Sequence, residues 1–316
     1  MPMNIRVLVI GCLAVLALAI GFDAWWQLET AAPALGTADA TAPFRPDTPA
    51  GTPTGTPAGT AAGTAVTPLP STPVIPRAEL PTPPIPPRVA EGAEYERCLA
   101  MVPADPAGAN ALADAWEATG GGDGAAHCHA AAQIALGNTE AGADMLEKLA
   151  RTSKAPALAR AYVYGQATQA WLMAGDAVRA YATATMALLL ASDDVDLLID
   201  RSIAAATLER YMDAIDDLNL ALDRDARRAD ALVFRAAAWR YEGQLGLAND
   251  DIDRALAIDP DYPEAMLERG ILRQRRGNLD GARTDWLRVI ELAPDTATAD
   301  LAQQNLSLLE AGPRLR

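Results

Sequence analysis

Four stretches of this chain superpose without a gap when their starts are set at residues 161, 195, 229 and 263, a spacing of 34 each time. They contain AWLMAGDAVRAYATATMALLLASDD, AATLERYMDAIDDLNLALDRDAR, AWRYEGQLGLANDDIDRALAIDPDY and LRQRRGNLDGARTDWLRVIELAPDT. A period of this length constrains the fold more than composition does, because each unit must bury its apolar face against the next. Counted from each start, position 15 is Gly175, Glu209, Gly243 and Gly277, and position 20 is Ala180, Ala214, Ala248 and Ala282. Position 24 holds Leu218, Ile252 and Trp286 in the last three units, and position 27 is Ala187, Ala221, Ala255 and Val289. Position 32 is Ser192, Ala226, Pro260 and Pro294.

The spacing reads as two helices per unit. The glycine stops the first helix, the small residue sits where the two cross, and the proline cannot continue the second. The pattern resembles the tetratricopeptide-repeat (TPR) family, through the Gly at position 15, the Ala at 20 and 27 and the Pro at 32. The resemblance implies an all-α, right-handed solenoid of helix-turn-helix repeats over residues 161–296. There are departures. The family's Gly at position 8 occurs only as Gly270, and its aromatic at position 11 occurs as Trp171 and Trp239 but as Ala205 and Arg273 elsewhere. Residues 89–160 read as degenerate N-terminal units. In the second of these, 123–160, Gly137-Asn138 makes the turn, Gly142 takes position 20, and four residues are extra. In the first, 89–122, Gly108 and Ala115 are expected at positions 20 and 27. Residues 297–312 supply a capping helix for the last apolar face.

The N-terminus is different in kind. Residues 7–22 are unbroken apolar sequence behind Arg6, and Trp25 and Trp26 follow. With the tryptophans at the interface, residues 7–26 are long enough to span a bilayer, and Arg6 fits the cytoplasmic side. The expectation is an uncleaved signal anchor over residues 1–27, tethering an exported, periplasmic domain to a bacterial inner membrane. A cleaved signal peptide ending at Ala17-Leu18-Ala19 and a lipoprotein box at Cys12 are the alternatives, and both also export the chain. Residues 28–88 carry 15 of the 23 prolines and are otherwise mostly Ala, Thr and Gly, so they are expected to be a disordered spacer. Residues 89–316 carry 36 Asp and Glu against 22 Lys and Arg, a net of −14, which argues against nucleic acid as a partner.

Residues 125–132, AAHCHAAA, hold both histidines. On a helix His127 and His129 point about 200° apart, whereas a helical metal pair needs a spacing of three or four. No metal site is expected, and each histidine is expected at the surface. Cys98 and Cys128 fall in first helices of adjacent units and are expected to form a disulfide, which the exported compartment permits.

No phosphate-binding glycine loop, dinucleotide turn or nucleophile elbow is present, and only two histidines exist, so no enzyme and no cofactor is expected. The acid pairs Asp216-Asp217 and Asp250-Asp251 recur at positions 22 and 23 and are expected on a solvated outer face. What remains is the groove. The resemblance implies that positions 2, 5, 9, 12 and 13 line a concave face that binds a protein or peptide. In the first unit these include Tyr162, Gln169 and Leu172, and in the second Ile199 and Ile203. The third gives Val233, Arg240 and Tyr241, and the fourth Leu267, Ile271 and Arg275. The face reads as apolar with a basic patch at Arg240 and Arg275. The competing readings are an architectural spacer or self-associating solenoid, and a metal carrier using Cys128 with its flanking histidines. The sequence does not fix an oligomeric state.

Overall fold

The structure, a computed structural model, describes residues 88–311. The expected membrane anchor and the linker up to residue 87 lie outside the described residues. Among the described residues there are thirteen α-helices and no strand, and no helix is long and apolar enough to cross a membrane. The helices are α1 (Ala93–Met101), α2 (Pro106–Ala118), α3 (Gly122–Ala135), α4 (Thr139–Thr152), α5 (Ala157–Met173), α6 (Ala177–Leu190) and α7 (Val195–Thr207). They continue as α8 (Tyr211–Arg224), α9 (Ala229–Tyr241), α10 (Leu245–Ile258), α11 (Pro263–Arg275), α12 (Leu279–Leu292) and α13 (Ala297–Ala311). Each helix packs chiefly on its neighbours in sequence, which builds an all-α solenoid.

The local rules account for the boundaries. At the end of α5 the Gly175 amide donates to the Leu172 carbonyl and the Asp176 amide to the Trp171 carbonyl, with Gly175 at φ 81°. This left-handed closure suits glycine, and Gly137, Gly243 and Gly277 repeat it. Asp176 then caps α6 by accepting from the Arg179 amide at 2.9 Å. Glu209 occupies the same turn at φ 60°, where its β-carbon crowds the backbone. Glu209→Gly should therefore stabilise the chain by about 1 kcal/mol, read as a higher urea midpoint at unchanged m. A lower midpoint would show that the Glu209 side chain contributes more than its backbone costs.

Helix crossings follow the small residues. Ala180, Ala214, Ala248 and Ala282 are buried to 1% exposure or less, and Ala187, Ala221, Ala255 and Val289 are fully buried behind them. Gly142 holds the equivalent place in α4, where an added β-carbon would come within 2.8 Å of the Ala130 carbonyl oxygen of α3. The four extra residues of the second unit become the first turn of α5, which has 17 residues where α7, α9 and α11 have 13. The first unit differs from expectation. Ala109 and Ala113 are the buried contacts of α2, and Ala115 is exposed. Gly108 instead lies against Asp105, whose carboxylate accepts from the Gly108 amide at 2.8 Å to cap the helix. A continuous core runs from Ala130 to Leu272, and a second cluster joins Trp286 to Leu301, Ala302 and Leu306 of α13. The last helix thus covers the terminal apolar face.

Candidate functional site

First helices of successive repeats touch one another, α5 with α7, α7 with α9 and α9 with α11, while the second helices make no comparable contact. First helices therefore occupy the inner side of the stack. Along that side Ile199, Ile203, Val233 and Leu267 are at 2, 6, 8 and 8% exposure and pack between neighbouring helices rather than forming an open apolar floor. Tyr162, Gln169, Leu172, Tyr241 and Ile271 are half-buried, and Arg275 is exposed. The Gln169 amide donates to Asp200 Oδ2 at 3.1 Å, which ties α5 to α7. The Tyr162 phenol is raised above its ordinary pKa by burial and then by Asp194.

Arg240 is not a surface cation. At 6% exposure it pairs with the equally buried Glu268, Nε to Oε1 at 2.5 Å, joining the third repeat to the fourth. Burial opposes its charge, and Glu268 with Tyr241 more than offsets that, so its pKa lies above the usual guanidinium value. Tyr241 lies under this guanidinium, 4.4 Å from it, and stacks on Tyr211 with centroids 4.6 Å apart and planes 3° apart. Burial and then Tyr241 push the Tyr211 phenol up to about 12. The expected basic patch is thereby reduced to Arg275, which makes no hydrogen bond or ion pair among the described residues. Its pKa is lowered, by desolvation first and Arg240 second.

The acid pairs are also corrected. Asp216 and Asp250 are exposed as expected, but Asp217 and Asp251 are buried to 4% and 3%. Each receives two hydrogen bonds from an arginine 16 residues earlier in the same repeat, Asp217 from Arg201 at 2.8 and 2.5 Å and Asp251 from Arg235 at 2.8 and 2.6 Å. Arg269 and Asp285 repeat the pair at 3.0 and 2.7 Å in the fourth unit. Three bidentate pairs in register staple first helix to second. In the unit that starts at residue 161, the two positions hold Ala167 and Thr183.

Cys98 of α1 and Cys128 of α3 are joined, with Cα atoms 6.1 Å apart. The flanking histidines differ from each other. His127 is buried to 7%, contrary to expectation, because α3 turns that face onto α1 and α5. Its Nε2 donates to Gln166 Oε1 at 2.6 Å, so Nδ1 accepts from the Tyr95 hydroxyl, also at 2.6 Å. Desolvation lowers its pKa, opposed by the Gln166 bond and reinforced by Arg88. The unfolded chain, with a histidine pKa of about 6.5, then takes up a proton that the folded chain refuses. Stability from this group is complete above that pH and falls as acid is added, by up to about 1.4 kcal/mol per pH unit. Urea titrations at pH 7.5 and 5.5 check this: the loss in the wild type should exceed that in His127→Gln. His129 instead faces α2, with Nε2 at 3.3 Å from Asp114 Oδ1 and Nδ1 at 3.4 Å from Glu117 Oε1.

No family model matches the chain, and no curated protein matches it. Solved structures do. The chain resembles the Cut9–Hcn1 hetero-tetramer of the APC/C at 13% identity and a TM-score of 0.53, over 67% of this chain and 42% of that one. It resembles TTC0263, a thermophilic TPR protein of Thermus thermophilus, at 18% identity and a TM-score of 0.49, over 59% of this chain and 100% of that one. It also resembles YrrB, a TPR protein with an unusual peptide-binding site, at 18% identity and a TM-score of 0.44, over 62% and 97%. The fold is an all-α solenoid of helix pairs. The identities speak to the fold alone.

Within the solenoid, the sequence signal for the buried pairs was present as Arg at position 7 and Asp at position 23 in three successive units. The Arg240–Glu268 pair, 28 residues apart, follows no period and left no such signal.

Proposed function

We propose that this chain is a non-enzymatic interaction scaffold whose first-helix face receives a protein segment, held outside the cytoplasm by the apolar N-terminus and the proline-rich spacer. The observation that carries the reading is Arg275. It is exposed and unpaired among the described residues, beside half-buried Ile271 and a Tyr241–Tyr211 stack. Arg240, its neighbour, is already neutralised by Glu268. Such a face suits a segment that brings an apolar side chain to Ile271 and a carboxylate to Arg275. The apolar residues 7–26 and the bridged cysteine pair support the reading that the domain is exported.

The test uses residues that are not part of the packing. Crosslinking in cells would compare the wild type with an Ile271→Glu/Arg275→Glu variant, with folding checked by circular dichroism. A partner held by the wild type and lost by the folded variant is the expected result. Equal capture by both moves binding off this face. Capture by neither leaves the solenoid as a spacer.

A further inference from the structure

We propose that Asp114, Glu117 and His129 form a binding site for one divalent transition-metal ion, for which Zn2+ is the test case. Asp114 and Glu117 stand three residues apart on α2 and so share one face, and His129 reaches them from α3. One ligand atom from each of the three lies within 4.8 Å of the others. Zinc bonds of about 2.0–2.2 Å in tetrahedral geometry place neighbouring ligand atoms roughly 3.3–3.5 Å apart. The separation of His129 Nε2 from Asp114 Oδ1 is 3.3 Å, already an edge of that tetrahedron. Glu117, whose side chain is 39% exposed, has room to turn and bring the third ligand.

Two further observations bear on the cluster. First, among the described residues neither carboxylate has an Arg or Lys partner, and His129 is the basic group each one meets. The buried acids Asp217, Asp251, Glu268 and Asp285 each face an arginine. The uncompensated charge lies in a domain of net −14, which concentrates cations at its surface. Second, Asp114 is oriented from behind. Asn110 Nδ2 donates to Asp114 Oδ2 at 3.2 Å, and Gln133 Nε2 donates to Asn110 Oδ1 at 2.8 Å. The relay occupies one carboxylate oxygen and leaves Oδ1 towards the imidazole, the arrangement by which outer groups aim a metal ligand. An imidazole with two carboxylates suits Zn2+ and its first-row neighbours better than Ca2+ or Mg2+. The site does not use the Cys128 sulfur, which is bonded to Cys98. A bound ion would clamp α2 to α3 at the same end of the solenoid that the disulfide fastens.

The experiment uses the full chain carrying Cys12→Ser, purified without an affinity histidine tag, chelator-treated and kept unreduced. Zn2+ is titrated by calorimetry and Co2+ by visible absorption. One ion per chain is expected, with a cobalt spectrum free of thiolate charge transfer. Asn110→Ala should weaken binding by about 10- to 100-fold. Asp114→Asn, at a site 53% exposed where folding is not at stake, and His129→Ala should remove saturable binding. Absence of stoichiometric binding, or binding unchanged in both ligand variants, overturns the proposal. In that case the three side chains form only a polar cluster between α2 and α3.

Discussion

Arg235→Met lowers the stability of the folded chain by about 3–5 kcal/mol, because it strands Asp251 in the protein interior. Asp251 is 3% exposed and takes both of its short bonds from Arg235, which also donates to Asn219 at 2.8 Å. Arg254 stays 3.2 Å from the same carboxylate but is exposed, which favours the lower end of that range. The cost belongs to the orphaned charge rather than to the pair as such. Adding Asp251→Leu to Arg235→Met should recover most of the loss, since an apolar couple of similar volume needs no counterion. Urea unfolding of the two singles and the double measures the coupling. A single variant that loses less than about 1 kcal/mol would place the pair among ordinary surface ion pairs.

Breaking the Cys98–Cys128 bond should cost about 3–4 kcal/mol, on the loop-entropy account of a closure 30 residues long. The effect should be local. A solenoid holds each unit through its neighbours, so its end units open first. The first two units also lack the arginine–aspartate staple of the later ones, since Arg201, Arg235 and Arg269 begin with the repeat at 195. Hydrogen exchange in reductant, or in Cys98→Ala/Cys128→Ala, should speed the amides of α1 to α4 and leave α7 to α12 unchanged. Exchange that is unaltered everywhere would mean that packing around Tyr95 and Ala113 is enough to hold this end.

What the sequence made legible was whatever depends on spacing along one chain. The Ala at position 20 and the Gly at position 15 report a close crossing and a left-handed turn, both local demands, and the structure has them where the period puts them. The cap of α13 follows in the same way. Side-chain partners were less legible. Asp216 and Asp217 are chemically identical neighbours, yet one faces water and the other Arg201, and this depends on which side of α8 meets α7. His127 reads as surface until α1 and α5 close on it with Tyr95 and Gln166. In the first unit, degeneracy removed the marks that set register, and Gly108 proved to serve the helix cap rather than the crossing. The expected groove residues are all on first helices, but their exposure depends on how tightly successive units close. For Ile199, Ile203, Val233 and Leu267 they close tightly.

The two kinds of buried ion pair differ in what they allow the gene to do. Arg201–Asp217, Arg235–Asp251 and Arg269–Asp285 each begin and end inside one period, so a unit carries its own counterion wherever it is moved. Arg240–Glu268 bridges two periods. Excising residues 195–228, one whole period, would leave that bridge and two of the three internal pairs whole. Excising residues 229–262 would delete Arg240 and leave Glu268 buried beside a repeat that offers Ala206 at the corresponding place. The array can therefore lengthen by duplication or shorten by deletion ahead of residue 229, while the units at 229 and 263 are inherited as a couple.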